Sequence, residues 1–239
     1  AVPGDPTIAE VSVDLIREQA SERGLTIRIV SGLSFVEPTL SALGIDALPR
    51  LYLADAFEIA AFHHPPFSPD TPVLLAQLCG ESLASDVKLT LMNQYPDEYE
   101  VALVHSAGTK DAIVEWMPLH AIDHSAHIAD LTSMYVPAMS QTSGFPALQE
   151  IVSHLRAPYG CAWDREQTHR SLRANLLEET YEVIAAIDAG DASGLEEELG
   201  DMLLQIVLQT QIGIDEGHFQ MSEVIGGIVS KLERRHPHV

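Results

Sequence analysis

Basic residues are scarce in this chain. It has 13 Lys and Arg against 35 Asp and Glu, a formal net charge of −22 over 239 residues. Such a charge argues against a nucleic-acid backbone or an anionic membrane as the main partner, because both are polyanions. An anionic ligand would need a metal cation or a local basic cluster to mediate. We therefore predict no nucleic-acid partner and no membrane partner.

Cysteine and long apolar runs are also scarce. Cys79 and Cys161 stand alone, with neither metal-ligand spacing nor a disulfide framework, which is typical of a reducing compartment. No apolar run approaches the roughly 18–20 residues that cross a bilayer. The first residues, AVPGDPTIAE, lack the basic and apolar regions of a signal peptide. We predict a cytoplasmic protein. The absence of an initial methionine indicates a fragment or a processed chain.

The composition predicts a folded chain of two domains, since 46% of the residues are hydrophobic and 20% are charged. Residues 1–136 alternate strand-like and helix-like segments, which predicts an α/β domain with a partly parallel sheet. The predicted strands are 25–30, 49–54, 71–78 and 98–105, and the predicted helices are 7–22, 34–43 and 80–94. The Pro-rich segment 63–72 is predicted to be a loop.

The pattern changes near residue 137. Residues 137–145 contain Pro, Ser and Gly without periodicity and are predicted to be a linker. Residues 146–239 show apolar spacing of three and four residues and predict an all-α domain. Ser222 is the predicted N-cap of its last helix, and Trp163 is predicted to lie in a loop.

An acidic run without counter-charges lies in this second domain. Nine acids and no Lys or Arg occur from Glu178 to Asp201. Glu179 and Glu182 share one helix face, and Glu198 and Asp201 share another, because each pair is three residues apart. The members of these pairs lie eight and eleven residues on either side of residue 190. A helical hairpin that turns there would bring the four carboxylates together.

Four ionised carboxylates repel one another unless a cation lies among them. Oxygen ligands favour Mg²⁺, Mn²⁺ or Ca²⁺, and the lack of a Glu-x-x-His pair disfavours a di-iron site. The alternative is a solvated acidic helix face, which is the usual role of an acidic run.

The same segment resembles the MazG family of nucleoside triphosphate pyrophosphohydrolases. Four blocks carry the resemblance over about residues 146–239, and they occur in the family's order. The blocks are GCAWDREQTHRSL, LLEETYEV, EEELGDMLLQ and KLERRHPHV. The resemblance implies an all-α helical hairpin bundle that forms a homodimer or higher homo-oligomer. It also implies Mg²⁺-dependent cleavage of a nucleoside triphosphate to the monophosphate and pyrophosphate, with Mn²⁺ as an alternative ion.

The family motif assigns roles to particular residues of this chain. It implies that Glu179, Glu182, Glu198 and Asp201 are metal ligands. Glu178 also matches the motif and is assigned to orienting or deprotonating the attacking water.

The few cations and one tryptophan are candidate contacts to the nucleotide. Lys231, Arg234 and Arg235 could hold phosphate oxygens, or could simply be cations favoured at a helix C-terminus. Arg165 could act in the same way or pair with nearby acids. Trp163 could stack on the base, or could anchor its segment on the core. Of the remaining groups, His169 is predicted to be a surface or capping residue.

Residues 1–136 resemble the later part of the tetrapyrrole (corrin/porphyrin) methylase fold, which uses S-adenosylmethionine. Gly4, Asp5 and Pro6 match its Pro-Gly-Asp-Pro element, and 31–34 match a following loop. The resemblance implies that Gly4, Asp5 and Pro6 contact the cofactor. The first strand and Gly-rich loop of that fold are missing here, which argues against bound S-adenosylmethionine. An ordinary turn is the other explanation of these residues.

Three hypotheses follow from the sequence. The first is a Mg²⁺-dependent nucleoside triphosphate pyrophosphohydrolase. The second is an S-adenosylmethionine-dependent tetrapyrrole methyltransferase with a regulatory helical domain. The third is a binding module in which the acidic hairpin dimerises or senses metal without turnover.

Overall fold

The computed structural model describes residues 5–8 and 10–238. The chain forms two compact units, Ala1–Ser143 and Gly144–Val239. The division between them falls inside the predicted linker 137–145.

The first unit contains a mixed five-stranded sheet in the order β1-β2-β5-β3-β4. Its strands are β1 (Tyr52–Asp55), β2 (Val73–Ala76), β3 (Glu100–His105), β4 (Ile113–Pro118) and β5 (Thr132–Val136). β1 and β2 are parallel, and the other neighbours are antiparallel. The prediction of a partly parallel sheet is confirmed.

Helices and one 3₁₀ turn accompany this sheet. They are α1 (Val11–Glu22), α2 (Val36–Leu43), α3 (Ala56–Ala61), α4 (Glu81–Leu91) and the 3₁₀ turn Leu119–His124. The core lies where α3, α4 and the 3₁₀ turn meet β2, β3 and β5, whose inward side chains include the fully buried Leu75, Leu103 and Met134. Every residue of β2 is buried, as expected for a strand with neighbours on both sides.

Several expectations for the first unit are wrong in detail. Residues 25–30 form no strand and are exposed, although their composition favours one. A β-favouring composition needs a neighbouring strand to pair with, and this segment has none. The strands β4 and β5 and the short helix α3 were not predicted. The loop at 63–72 is confirmed.

The second unit is all-α, as predicted. Its helices are α5 (Phe145–Arg156), α6 (Ala162–Glu166), α7 (Arg173–Ala189), α8 (Ala192–Asp215) and α9 (Met221–Arg235). Two local expectations are wrong. Trp163 lies in α6 rather than in a loop. The N-cap of α9 is Gln220 rather than Ser222, because Gln220 and Glu223 form a reciprocal capping box.

The core of the second unit is formed mainly by α5 and α8, with one residue from the N-terminal end of α7 and one from that of α9. Its buried side chains are Val152, Leu172, Val207, Leu208, Ile212 and Met221. α7 packs along α8 but buries none of its own residues fully. A wide apolar surface on α7 and α9 is therefore exposed in a single chain.

Within the part of the chain that the structure describes, no helix combines the length and apolarity that a membrane crossing requires. Cys79 and Cys161 are both free thiols.

Candidate metal centre

A tight turn brings α7 and α8 side by side. Gly190 ends α7 in the left-handed region at φ 65°, a conformation that glycine adopts without steric cost. Asp191 then caps α8, its side chain accepting a hydrogen bond of 3.1 Å from the backbone N–H of Gly194. Only two residues separate the end of α7 from the start of α8, and the two helices run antiparallel, as the sequence predicts.

The hairpin brings carboxylates from both helices together. One oxygen of each of Glu179, Glu182 and Glu198 lies within 4.8 Å of the corresponding oxygen of the other two. Asp201 lies outside this triplet, but its charge acts on Glu179. Glu179 and Glu198 are half-buried and Glu182 is exposed. We call Glu179, Glu182, Glu198 and Asp201 the carboxylate cluster.

The acids perturb one another's titration. Desolvation, and after it the charges of Asp201, Glu182, Glu198 and Glu178, raise the pKa of Glu179. Desolvation and the neighbouring acids also raise the pKa of Glu198. Both shifts mean that the ionised carboxylates are destabilised where they lie. A cation would reverse this effect.

The donor set fits a hard divalent ion. All the groups are carboxylate oxygens, which are the ligands that Mg²⁺, Mn²⁺ and Ca²⁺ prefer. Some of the groups are exposed, which leaves room for water and phosphate oxygens beside an ion. No cationic side chain forms an ion pair with the carboxylate cluster among the described residues.

The short helix α6 presents two of the predicted substrate contacts. Trp163 is 56% exposed and is not among the buried residues of the core. Arg165 donates a hydrogen bond of 2.6 Å from Nη1 to the carbonyl oxygen of Pro158. Its position is thus partly determined by the preceding loop.

Sequence reasoning missed the residue that holds α6 in place. Arg156 is almost buried, and its Nε donates to Asp215 at 2.7 Å. Its Nη1 donates to the backbone carbonyl oxygens of Asp164 and Gln167, at the two sides of the C-terminal end of α6. No pattern in the sequence around Arg156 indicates that it holds the end of α6.

The three predicted phosphate contacts in α9 lie in its C-terminal half. Lys231, Arg234 and Arg235 are all exposed. None of them belongs to an ion pair within the described residues. They remain available for a ligand, and their helix-terminal position also satisfies the macrodipole explanation.

The candidate cofactor contacts of the first unit are only partly described. Gly4 lies outside the described residues. Asp5 accepts hydrogen bonds from the backbone N–H groups of Thr7 and Gly32, at 2.9 and 3.0 Å, so it ties its turn to the loop at 31–34. Hydrogen bonds from Thr7 and Gly32 lower the pKa of Asp5. Pro6 lines a cavity of about 280 Å³. Their assignment to a cofactor stays a prediction.

The second unit matches a known domain. The MazG nucleotide pyrophosphohydrolase domain matches residues 167–239. A nucleoside triphosphate pyrophosphohydrolase/pyrophosphatase MazG of Thermotoga maritima is 50% identical over 95 residues, which are 40% of this chain and 37% of that protein. A nucleoside triphosphate pyrophosphohydrolase of Escherichia coli is 47% identical over 93 residues, 38% of this chain and 35% of that protein.

One relative is similar over the whole chain. The protein YabN of Bacillus subtilis is 39% identical over 248 residues, 100% of this chain and 49% of that protein. The chain thus spans half or less of the length of these relatives.

Solved structures resemble part of the chain at a distance. A uroporphyrin-III-C-methyltransferase from Thermus thermophilus has a TM-score of 0.47 at 19% identity, over 56% of this chain and 61% of that chain. The sequence similarity of the second unit is far stronger. Over residues 167–239, the C-terminal part of this chain is therefore similar to the MazG nucleotide pyrophosphohydrolase domain.

Proposed function

We propose that the second unit hydrolyses nucleoside triphosphates to nucleoside monophosphates and pyrophosphate, with Mg²⁺ held by the carboxylate cluster. One observation carries the proposal: oxygens of Glu179, Glu182 and Glu198, from two helices, converge within 4.8 Å. The domain match over residues 167–239 and the names of its relatives support this reaction. Bound Mg²⁺ would supply the positive charge that the acidic chain lacks and neutralise the phosphate oxygens.

The acids of the hairpin would have two roles, binding the metal ion and accepting a proton. Glu179, Glu182, Glu198 and Asp201 would hold the ion and so position the triphosphate. Glu178, next to Glu179 in α7, would accept a proton from the attacking water as the water oxygen bonds to the α-phosphorus. The bond from the α-phosphorus to the bridging oxygen would break, and pyrophosphate would leave with that oxygen. Positioning and charge neutralisation would supply most of the rate enhancement.

The remaining candidate residues would contact the nucleotide. The exposed ring of Trp163 offers a face for stacking on the base. Arg165, Lys231, Arg234 and Arg235 offer donors for phosphate oxygens, and arginine can donate two parallel hydrogen bonds.

The proposal is tested by measuring pyrophosphate release from a panel of nucleoside triphosphates, with Mg²⁺ and with a chelator. We expect Mg²⁺-dependent release from at least one substrate. Glu182→Gln should reduce kcat by about 100-fold or more, because loss of a ligand is at least as damaging as loss of an outer partner. Glu196→Gln is the matched control, since Glu196 is an exposed acid of α8 outside the carboxylate cluster.

Two outcomes would contradict the proposal. One is a wild-type chain that is inert with every triphosphate in the presence of Mg²⁺. The other is a Glu182→Gln variant that matches the wild type while its helical circular dichroism is unchanged.

A further inference from the structure

A second group of potential metal ligands lies at the other end of α8. It consists of His169, Glu216 and His218, each of which offers one ligand atom within 4.8 Å of the other two. Glu216 follows the last residue of α8, eighteen positions beyond Glu198. At 1.5 Å per residue, the two groups are about 27 Å apart along the helix. The two groups therefore cannot share an ion.

The turn after α8 holds two of these side chains together. Glu216 ends the helix, and Gly217 adopts a φ of 70°, which reverses the chain. The backbone N–H of His218 then donates to the carbonyl oxygen of Gly213 at 2.9 Å. This places His218 Nδ1 3.2 Å from Glu216 Oε2.

The third ligand comes from the segment between α6 and α7. His169 Nε2 lies 3.8 Å from Glu216 Oε2. Its other ring nitrogen, Nδ1, lies 2.6 Å from the side-chain oxygen of Gln209. An amide oxygen only accepts, so Nδ1 is the donor in this hydrogen bond, and Nε2 is the ring nitrogen that faces Glu216. A ligating histidine is commonly oriented in this way by an outer hydrogen bond.

Packing further restricts His169. Its ring stacks on Phe219 with the centroids 6.3 Å apart. Phe219 in turn lies against Gly213, where a Cβ would come within 2.5 Å of the phenyl ring. The expectation that His169 is a simple surface or capping residue is therefore incomplete, because its ring is partly buried, stacked and hydrogen-bonded.

We propose that His169, Glu216 and His218 form a second metal site, which takes a borderline transition-metal dication such as Zn²⁺ rather than Mg²⁺. Two imidazoles and one carboxylate are a common protein ligand set for zinc, with the remaining position left to water. Zinc–ligand bonds of 2.0–2.2 Å place tetrahedral ligands roughly 3.3 Å apart. The spacings of 3.2 and 3.8 Å in the protein are close to this value.

A metal bound here would join two segments that are distant in the sequence. His169 belongs to the connection that leads from α6, which carries Trp163, into α7, and His218 belongs to the turn between α8 and α9. Binding to the folded chain alone stabilises it in proportion to the logarithm of the metal concentration. The bound metal would thus cross-link the end of the bundle opposite the α7–α8 turn and stabilise it. This role does not depend on whether the carboxylate cluster hydrolyses nucleotides.

The test is calorimetric titration of the full chain with Zn²⁺ in a large excess of Mg²⁺, which occupies the carboxylate cluster. We expect the wild type to bind zinc, and we expect His218→Ala and Glu216→Gln each to weaken the affinity about tenfold or more. Both substituted side chains are exposed, so the fold should survive the changes. His154→Ala, which removes an exposed histidine of α5, is the matched control and should bind zinc as the wild type does.

Co²⁺ provides a second readout, because its visible absorption reports imidazole coordination. The wild-type spectrum should be lost in His218→Ala and retained in Glu182→Gln. The proposal is overturned if the wild type binds zinc no better than His218→Ala, which would leave an ordinary cluster of ion pairs. It is also overturned if Glu182→Gln, and not His218→Ala, removes zinc binding, since zinc would then occupy the carboxylate cluster.

Discussion

Glu179 lies where its own charge is unfavourable for the stability of the folded chain. Partial desolvation and four neighbouring acids raise its pKa, so its charge is unfavourable in the folded chain without a cation. A side chain placed only for stability would not be surrounded by like charges. A divalent ion among these carboxylates would make the arrangement favourable.

The first prediction concerns this conflict. In the presence of a chelator, Glu179→Gln should raise the melting temperature by about 1–3 °C, because it removes a charge that the neighbouring acids repel. It should also reduce or abolish the stabilisation that Mg²⁺ gives to the wild type. Differential scanning calorimetry with and without Mg²⁺ measures both effects. Glu196→Gln should respond to Mg²⁺ like the wild type, and an unchanged Mg²⁺ response in Glu179→Gln would argue against its role as a ligand.

The buried His105 makes the stability of the first unit depend on pH. His105 is 4% exposed, and its Nε2 lies 2.9 Å from Glu115 Oε2 while its Nδ1 lies 3.1 Å from Thr132 Oγ1. Burial lowers the pKa of His105 from 6.5, against the opposing effect of Glu115 and with a smaller contribution from His127. The folded unit therefore binds fewer protons at this position than the unfolded chain.

The second prediction follows from the sign of that shift. A histidine with a lowered pKa contributes stability above its unfolded value, and this stability is lost as the pH falls below about 6.5. Urea unfolding of the first unit should become easier between about pH 6.5 and 5, before most carboxylates protonate. Fluorescence of Trp116 in β4 reports this unit when Trp163 is replaced by Phe. A stability that does not change over this range would contradict the prediction.

At the scale of elements, the turn between α7 and α8 determines which acids face each other. Gly190 adopts a φ of 65°, and a Cβ there would meet no atom within 4 Å. The cost of a substitution is therefore conformational rather than steric.

The third prediction compares a glycine at positive φ with a glycine of ordinary helical conformation. Gly190→Ala should lower the free energy of unfolding by about 1–2 kcal/mol, the cost of a left-handed alanine. Gly226→Ala is the control, because Gly226 lies inside α9 with open space around its Cα and no positive φ. It should gain about 0.5–1 kcal/mol from the better helix propensity. Urea titration followed by circular dichroism measures both, and equal effects of the two substitutions would refute this account.

For the molecule as a whole, a row of exposed apolar side chains on the second unit is the feature that favours self-association. Exposed side chains recur along α7 at a spacing of three or four residues. They are Leu177, Tyr181, Ile184 and Ile187, each between 46% and 63% exposed. A second copy of the chain would remove such a stripe from water.

The fourth prediction is that the chain sediments as a homodimer or a higher homo-oligomer. Ile184→Glu, in the middle of the stripe, should weaken self-association by about 100-fold, because it buries a charge in an apolar interface. Val11→Glu is the control: it replaces an exposed apolar residue of the first unit and should leave the sedimentation coefficient unchanged. A wild-type chain that remains monomeric at high concentration would refute the prediction.

The carboxylate cluster and its turn could be predicted from the sequence because both depend on local geometry. Side chains three residues apart share a helix face, and a glycine at the centre of two such pairs determines which of them meet. The all-α character of residues 146–239 follows from the same periodicity. For these features, two successive helices and the turn between them contain all the necessary information.

Other features required the tertiary structure, because they depend on partners distant in the chain. Residues 25–30 favour a strand but lack a neighbour, whereas β4 and β5 form because β3 lies between them. Arg156 meets Asp215, and His169 meets Glu216, only after α5, α8 and the connection between α6 and α7 have packed. Local periodicity thus determined the acidic hairpin of this protein, while long-range packing decided which polar groups lie at its other end, since no spacing in the sequence encodes contacts across the core.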